Sequence, residues 1–267
     1  MPKTKRKKVS LAIDFVFLTL KPKREKGLEV LLYKRPSIPY KDEWSLPGAF
    51  VHLDEDKNLP KAIDRILKEK LKIHRYIGKQ DWQNQQLGCF YSMERDKRGV
   101  ATVVYWGLIS NVKKFNSVDR EDLKFSPVDN YKNLGGNEKL PFDHTEILKE
   151  AIEHLSETIE RKSTAIKFFE KELTTSDLRL AYETVWQYAE EDFEVDDKNF
   201  TQFLKKQFQA FSLKETDAIL NKQTAFSQDL QKGRPARVWE IDLDVLEDKK
   251  LKYPLPRKPR RSKPKKS

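Results

Sequence analysis

Short apolar runs alternate with one helical pattern over the first half of the chain. SLAIDFVFLTL (Ser10 to Leu20), LEVLLYKR (Leu28 to Arg35) and ATVVYWGLI (Ala101 to Ile109) have the length and the β-branched and aromatic content of strands. PKAIDRILKEKL, Pro60 to Leu71, lies between them with apolar residues at helical spacing. From Val9 to about Tyr131 the pattern therefore predicts an α/β or α+β domain. Lys132 to Leu140, with Gly135, Gly136 and Asn137, reads as a loop. After it, in FDHTEILKEAIEHLSETIERK, Ile147, Leu148, Ala151, Ile152, Leu155 and Ile159 form one apolar stripe, with Asp143 placed to cap and Glu146 to complete a capping box.

The second half has another grammar. TTSDLRLAYETVWQYA predicts a helix started by Thr175 or Ser176, and Asp196 or Asp197 starts a second, DDKNFTQFLKKQF. AFSLKE and RPARVWEIDLDV alternate as half-buried strands do. Helix, helix, hairpin is the order of a winged helix-turn-helix. In the second helix Phe200, Phe203 and Leu204 share one face, leaving Thr201, Gln202, Lys205 and Lys206 on the other. That face combines groups able to reach base edges with groups able to hold phosphates; its plainer reading is a solvated helix surface.

Charge refines this picture through its placement. The chain of 267 residues carries a formal +11, yet residues 1–8 hold five Lys/Arg and residues 257–267 hold seven, with no acid in either. The remaining 41 basic residues face 42 acidic ones, so the body is near neutral. Such tails either add salt-sensitive attraction to phosphates or merely solubilise. The single Cys89 forms no internal disulfide, and it and four scattered histidines lack zinc-ligand spacing. No apolar run approaches the roughly 18 residues of a membrane span, and the N-terminal run lacks a small-residue cleavage site. A soluble, uncleaved, cytoplasmic protein is expected.

WSLPGAFVHLDEDKNLPKAIDRILKEKLKI, Trp44 to Ile73, resembles the Nudix box, a loop and helix whose glutamates hold divalent cations that activate water. Leu46-Pro47-Gly48, Phe50-Val51, Leu59, Ala62, Arg65, Leu67 and Glu69 carry the match, with about two extra residues near Asp54 to Lys57. The three carboxylate positions fall on Ile66, Glu69 and Lys70. One carboxylate beside an ammonium is a poor site for a hard cation, so no metal and no cofactor is expected. Lys70 and Arg65 are instead placed to pair with a diphosphate, with Arg35 and Trp44 offering a guanidinium and an aromatic face. The alternatives are a structural ion pair for Arg65, a surface charge for Arg35, a core position for Trp44 and, for the whole segment, an ordinary amphipathic helix.

The resemblance extends further. FYSMERDKRGVATVVYWGLI and PFDHTEI are similar to segments of the NrtR family of Nudix-related transcriptional regulators, as are Lys198-Asn199-Phe200 and Gly233-Arg234-Pro235-Ala236. The resemblance covers roughly residues 9–245. It implies a non-catalytic Nudix domain that binds ADP-ribose or a related nucleotide, fused to a winged helix that binds double-stranded DNA and controls NAD or sugar metabolism. It places Glu69, Arg95 and Arg98 in the effector site with Arg35, Trp44, Arg65 and Lys70, and adds Lys198 and Arg234 to the DNA-binding set. Val100 stands where a second basic residue often occurs, and the interval Asp217 to Lys232 is long for a wing.

The expected organisation is a basic tail over 1–8, a Nudix-like α/β (α+β) sandwich over 9–160, an α+β winged helix over 161–246 and a basic tail over 247–267. A homodimer on a palindromic site is expected. The alternative is an active Nudix hydrolase of ADP-ribose or another nucleoside diphosphate derivative.

Overall fold

The computed structural model describes residues 8–21, 27–74, 85–110, 120–132, 134–170, 172–189, 193–210, 215–216, 238–240, 250–251, 253 and 255–259. The chain divides into two compact units, residues 1–18 with 30–151 and residues 19–29 with 152–267.

A mixed sheet organises the first unit. Strand β1 (Ser10–Leu20) runs parallel to β6 (Val100–Leu108) and antiparallel to β4 (Gly48–Phe50). With β2 (Leu28–Lys34), β3 (Trp44–Ser45) and β5 (Gln86–Phe90) the order is β3-β2-β1-β6-β5, and β7 (Leu123–Pro127) joins β2. The near-continuous apolar sequence of β1 has a physical cause: it is buried on both faces from Ile13 onward. Ile13, Phe15 and Phe17 pack with Val103 and Tyr105 against Ile63, Ile66, Leu67 and Leu71 of the box helix. That helix, α1 (Leu59–Arg65), starts where the Asn58 side chain accepts the Lys61 N–H at 3.0 Å.

Helix α1 does not end regularly. Ile66–Lys70 forms a π-turn in which the Leu71 N–H reaches the Ile66 carbonyl. Regular helical spacing would put residues 66, 69 and 70 on one face, and the wider turn separates them. Helix α2 (His144–Arg161) is continuous through the division of the chain, and Ile147, Leu148, Ala151, Ile152, Leu155 and Ile159 are all buried, as its stripe predicts. The expected cap is corrected. The Asp143 carboxylate is turned to Arg95 instead of to the first helical N–H groups, at 2.7 Å.

In the second unit a 3₁₀ segment (Ser163–Phe168) leads to β8 (Glu172–Thr174) and α3 (Thr175–Tyr188). The cap of α3 is Thr174, one residue before the expected one, because its hydroxyl and the Asp177 carboxylate satisfy each other's backbone N–H. Strand β9 (Phe193–Val195) precedes α4 (Asp197–Ala210). Strands β10 (Glu215–Thr216) and β11 (Val238–Glu240) form an antiparallel pair, and β11 also pairs with β8. The interval 217–232 and Arg234 lie outside the described residues.

The segment expected as a basic tail from residue 247 contains structure. Strand β12 (Arg257–Pro259) pairs antiparallel with β9, and Leu251 donates its N–H to the Arg161 carbonyl. Three residues between prolines and charges give no strand periodicity, so this pairing was invisible in the pattern. No helix among the described residues is long and apolar enough to cross a membrane.

Candidate functional site

A cleft of about 750 Å³, its mouth included, opens in the first unit. Its floor depends on a close approach of two strands. Gly48 of β4 lies against Asp14 of β1, where any Cβ would collide with the Asp14 carboxylate and the Ile13 carbonyl. The Gly48 carbonyl accepts a hydrogen bond from Lys70 Nζ at 2.8 Å, which brings the last residue of the π-turn to the cleft.

Arg35, Lys70, Arg95 and Arg98 line this space, together with Asp14, Asp96, Tyr33, Phe50, Phe142 and His144. The four cations are not equivalent. Arg95 is buried, donates from Nε to Asp143 at 2.7 Å and lies 3.7 Å from Asp14. Arg98 is held by Asp96 through Nε at 3.0 Å and a terminal nitrogen at 2.7 Å. Arg35 gives Nε to the Pro39 carbonyl at 2.9 Å, and its guanidinium lies 4.9 Å from the Phe142 ring. Among the described residues the terminal nitrogens of Arg35 have no hydrogen-bond partner, and Lys70 has Gly48 alone. Partial burial of its ammonium, and after it the positive charge of Arg35, hold Lys70 below the usual lysine pKa; Asp14 offsets this only in part. Two like charges that disfavour each other across an open space are an arrangement an anion relieves.

Phe142, which lines the cleft, and Tyr40, which packs against it, are strained. Tyr40 and Phe142 adopt φ values of 61° and 60°, and their rings meet edge-on at 4.9 Å. Bulky residues in the left-handed region cost about 1–3 kcal/mol each and persist where the surroundings over-determine them, often at ligand sites. Deeper in, His144 accepts the Leu46 N–H on Nδ1, which leaves the proton of the neutral ring on Nε2, 3.7 Å from Asp14. Burial lowers its pKa, so it stays neutral there.

Three residues expected here lie elsewhere. Arg65 is engaged by Asp56, with Nε at 2.9 Å from Oδ1 and a terminal nitrogen at 2.7 Å from Oδ2, and it donates to the Phe50 carbonyl. It staples the extra loop residues to α1. Trp44 stacks beneath Lys124, whose ammonium is 4.3 Å from the ring centroid, and Glu69 is exposed and does not line the cleft. Tyr33, Phe142 and His144 were missed. Their signals were the aromatic strand end at Tyr33 and the F-D-H triplet, read only as a helix start.

The divalent cation that a Nudix box holds does not fit these residues. Ile66 is fully buried in the apolar core, Glu69 is exposed and does not line the cleft, and Lys70 places an ammonium in it. The nearby loop carboxylate of Asp56 is taken by Arg65.

The second unit offers a surface instead of a cleft. Phe200, Phe203 and Leu204 of α4 are buried, and Phe200 meets Tyr182 of α3 edge-on at 6.2 Å. Thr201, Gln202 and Lys206 are exposed and Lys205 is half-buried, while the side chain of Lys198 lies outside the described set.

No family model matches the chain. Over 162 residues it is 30% identical to the ADPR responsive transcriptional repressor NtrR of Acinetobacter baylyi, covering 59% of this chain and 60% of that protein. Over 128 residues it is 30% identical to the ADP-ribose pyrophosphatase of Methanocaldococcus jannaschii, covering 47% and 67%. The chain thus spans about three fifths to two thirds of the length of these relatives. The Shewanella oneidensis NrtR crystal structure with a 27mer DNA superposes with a TM-score of 0.69 at 24% identity, covering 92% of this chain and 99% of that one. A second crystal structure of the S. oneidensis protein gives 0.69 at 22% identity, covering 92% and 100%. The fold is that of a Nudix domain followed by a C-terminal α/β domain. In partial sequence and in fold the chain is similar to regulators of the NrtR type.

Proposed function

We propose that this protein is a cytoplasmic, DNA-binding transcriptional regulator whose Nudix domain binds ADP-ribose or a related nucleotide without hydrolysing it. The observation that supports the reading best is the pairing of Arg35 and Lys70 across the cleft, where a Nudix hydrolase would need carboxylates. A diphosphate seated between them would accept charge-assisted hydrogen bonds from both, and Phe142 and Tyr40 would flank its organic part. The A. baylyi relative is named for a response to ADPR. Targets in NAD or sugar metabolism follow from the family and belong to the same proposal.

The second unit then acts as a winged helix in which α4 reads DNA, Thr201 and Gln202 meeting base edges and Lys205 and Lys206 holding phosphates. Two copies would match a palindromic operator. Helix α2 is the proposed lever between sensing and reading. Asp143, at its start, is bound to the cleft residue Arg95, so an anion drawing on Arg95 would act on the first turn of α2.

A second reading, an active hydrolase, draws on the M. jannaschii relative and on the surviving Glu69. Calorimetry with ADP-ribose decides between them. The regulator binds it equally well with Mg²⁺ or with EDTA and leaves it intact. Magnesium-dependent turnover at roughly 1 s⁻¹ or more, lost in Glu69→Gln, sinks the proposal.

A further inference from the structure

We propose that Asp14 and His144 form a subsite for a sugar hydroxyl in the deep part of the cleft, so that the effector is a nucleoside diphosphate carrying a second sugar and a bare nucleoside diphosphate is disfavoured. The proposal rests on the effector-binding reading above and deepens it, since Arg35 and Lys70 alone would hold either kind of molecule.

Two buried side chains build the subsite. His144 is 3% exposed and lines the cleft. Its Nδ1 accepts the Leu46 N–H at 3.1 Å, which turns Nε2 the other way, to 3.7 Å from Asp14 Oδ2. That separation is beyond hydrogen-bond reach, and among the described residues the Nε2–H has no acceptor. Asp14 is buried and lines the cleft as well. Thr102, buried in β6, donates to Oδ2 at 2.8 Å, and the missing side chain of Gly48 leaves the carboxylate its room.

An unpaired donor beside a carboxylate selects one kind of group. A hydroxyl oxygen can lie about 2.8 Å from both, accepting the Nε2–H and donating its own proton to Asp14. An ionised phosphate oxygen can accept from His144 but has no proton for Asp14 and meets its negative charge. The subsite adjoins the proposed diphosphate position: burial lowers the pKa of both Arg35 and Lys70, and the charge of Asp14 opposes that shift in each. Elsewhere the lining is apolar and exposed, at Ile38 and Phe50, which suits a base. With the base there and the diphosphate between Arg35 and Lys70, the group that reaches His144 is whatever the second phosphate carries. In a bare diphosphate that group is a phosphate oxygen; in a diphosphate sugar it is a ring bearing hydroxyls.

The test is calorimetry of the full chain, in EDTA, with ADP-ribose, ADP and the β-methyl ester of ADP, which has the charge of ADP-ribose but no second sugar. The wild type should bind ADP-ribose more tightly than either of the others by about tenfold or more, the scale on which a site built for a hydroxyl rejects a ligand without it. Attraction by the cations alone would favour ADP, which carries the largest charge of the three. Asp14→Asn keeps an acceptor for Thr102 and removes the charge; it should weaken ADP-ribose by about tenfold and strengthen ADP, opposite shifts that a damaged fold does not produce. His144→Asn keeps an acceptor for the Leu46 N–H and removes the Nε2 donor, and it should weaken ADP-ribose more than ADP. Lys70→Ala acts on the diphosphate that all three ligands share and should weaken all alike. A wild type that binds ADP or the methyl ester as tightly as ADP-ribose overturns the proposal, and this arm needs no variant to fold. Equal weakening of ADP and ADP-ribose in Asp14→Asn overturns it too, since the hydroxyl would then belong to the adenosine that both contain. If the wild type binds none of the three, the effector reading fails as well; if it binds them and Asp14→Asn keeps the wild-type preference, this inference alone fails.

Discussion

Helices α1 and α4 are both amphipathic, each burying one apolar face in its own unit, yet they present their polar side chains differently. Helix α1 ends in a π-turn that delivers Lys70 to a carbonyl of a neighbouring strand, so the ammonium is fixed before any ligand arrives. Helix α4 leaves Thr201, Gln202 and Lys206 exposed, with the ring of Tyr253 near Lys206. A fixed cation suits a small ligand, whose affinity depends on preorganised partners. An exposed polar face suits a long polymer, along whose charges its side chains can settle. The contrast makes α1 and its surroundings the costlier place to disturb, and α4 the place where function can be lost without stability.

The largest expected effect is at Arg95. Removing its guanidinium leaves the Asp143 and Asp14 carboxylates without their buried partner, and breaking such a pair costs about 3–5 kcal/mol. Urea denaturation of Arg95→Ala should show this loss; a change under ~1 kcal/mol would mean that the pair carries no structural weight.

On α4 the effect should fall on DNA alone. Gln202→Ala combined with Lys205→Ala should weaken binding to a specific duplex by about ten- to a hundredfold, on the scale of 1–3 kcal/mol, with ADP-ribose affinity and the urea midpoint unchanged. Equal loss of both ligands would erase the contrast between the two helices.

The smallest effect is an acid dependence in the box loop. Hydrogen bonds from Arg65, first among the causes, hold the Asp56 pKa down to about 2 from the usual value near 4. A depressed carboxylate stabilises the fold fully above its unfolded pKa and loses that contribution as pH falls through the folded one. The stability of the wild type should therefore decline between about pH 4 and pH 2 more steeply than that of Arg65→Met. Parallel acid profiles would show that Asp56 and Arg65 are not coupled.

These outcomes also bear on what the sequence made legible. The apolar pattern marked β1, β2, β6 and the four α-helices among the described residues, because burial on one or both faces dictates composition directly. The box alignment put an apolar side chain at Ile66 and a cation at Lys70, and their surroundings agree with core and cleft. What the pattern did not carry was partnership. Arg65 and Arg95 look alike as lone arginines in basic surroundings, but each is consumed by an aspartate, 9 residues away for Asp56 and 48 for Asp143. Asp14 interrupting an apolar strand was the one local sign of a polar centre, since a buried carboxylate requires partners, here Thr102 at 2.8 Å. The π-turn left no trace in composition, and β12 was hidden by its prolines and charge.

The central claim is that the Arg35–Lys70 cleft governs what α4 binds, and it is tested most directly by the affinity of the wild-type protein for the DNA upstream of its own gene, with and without ADP-ribose. Coupling between two sites of one protein is commonly 5- to 150-fold, about 1–3 kcal/mol, and a change in that range is predicted. In Lys70→Ala that response should shrink while ligand-free DNA binding stays as in the wild type. An affinity for that DNA that ADP-ribose leaves unchanged at saturating concentration would contradict the account.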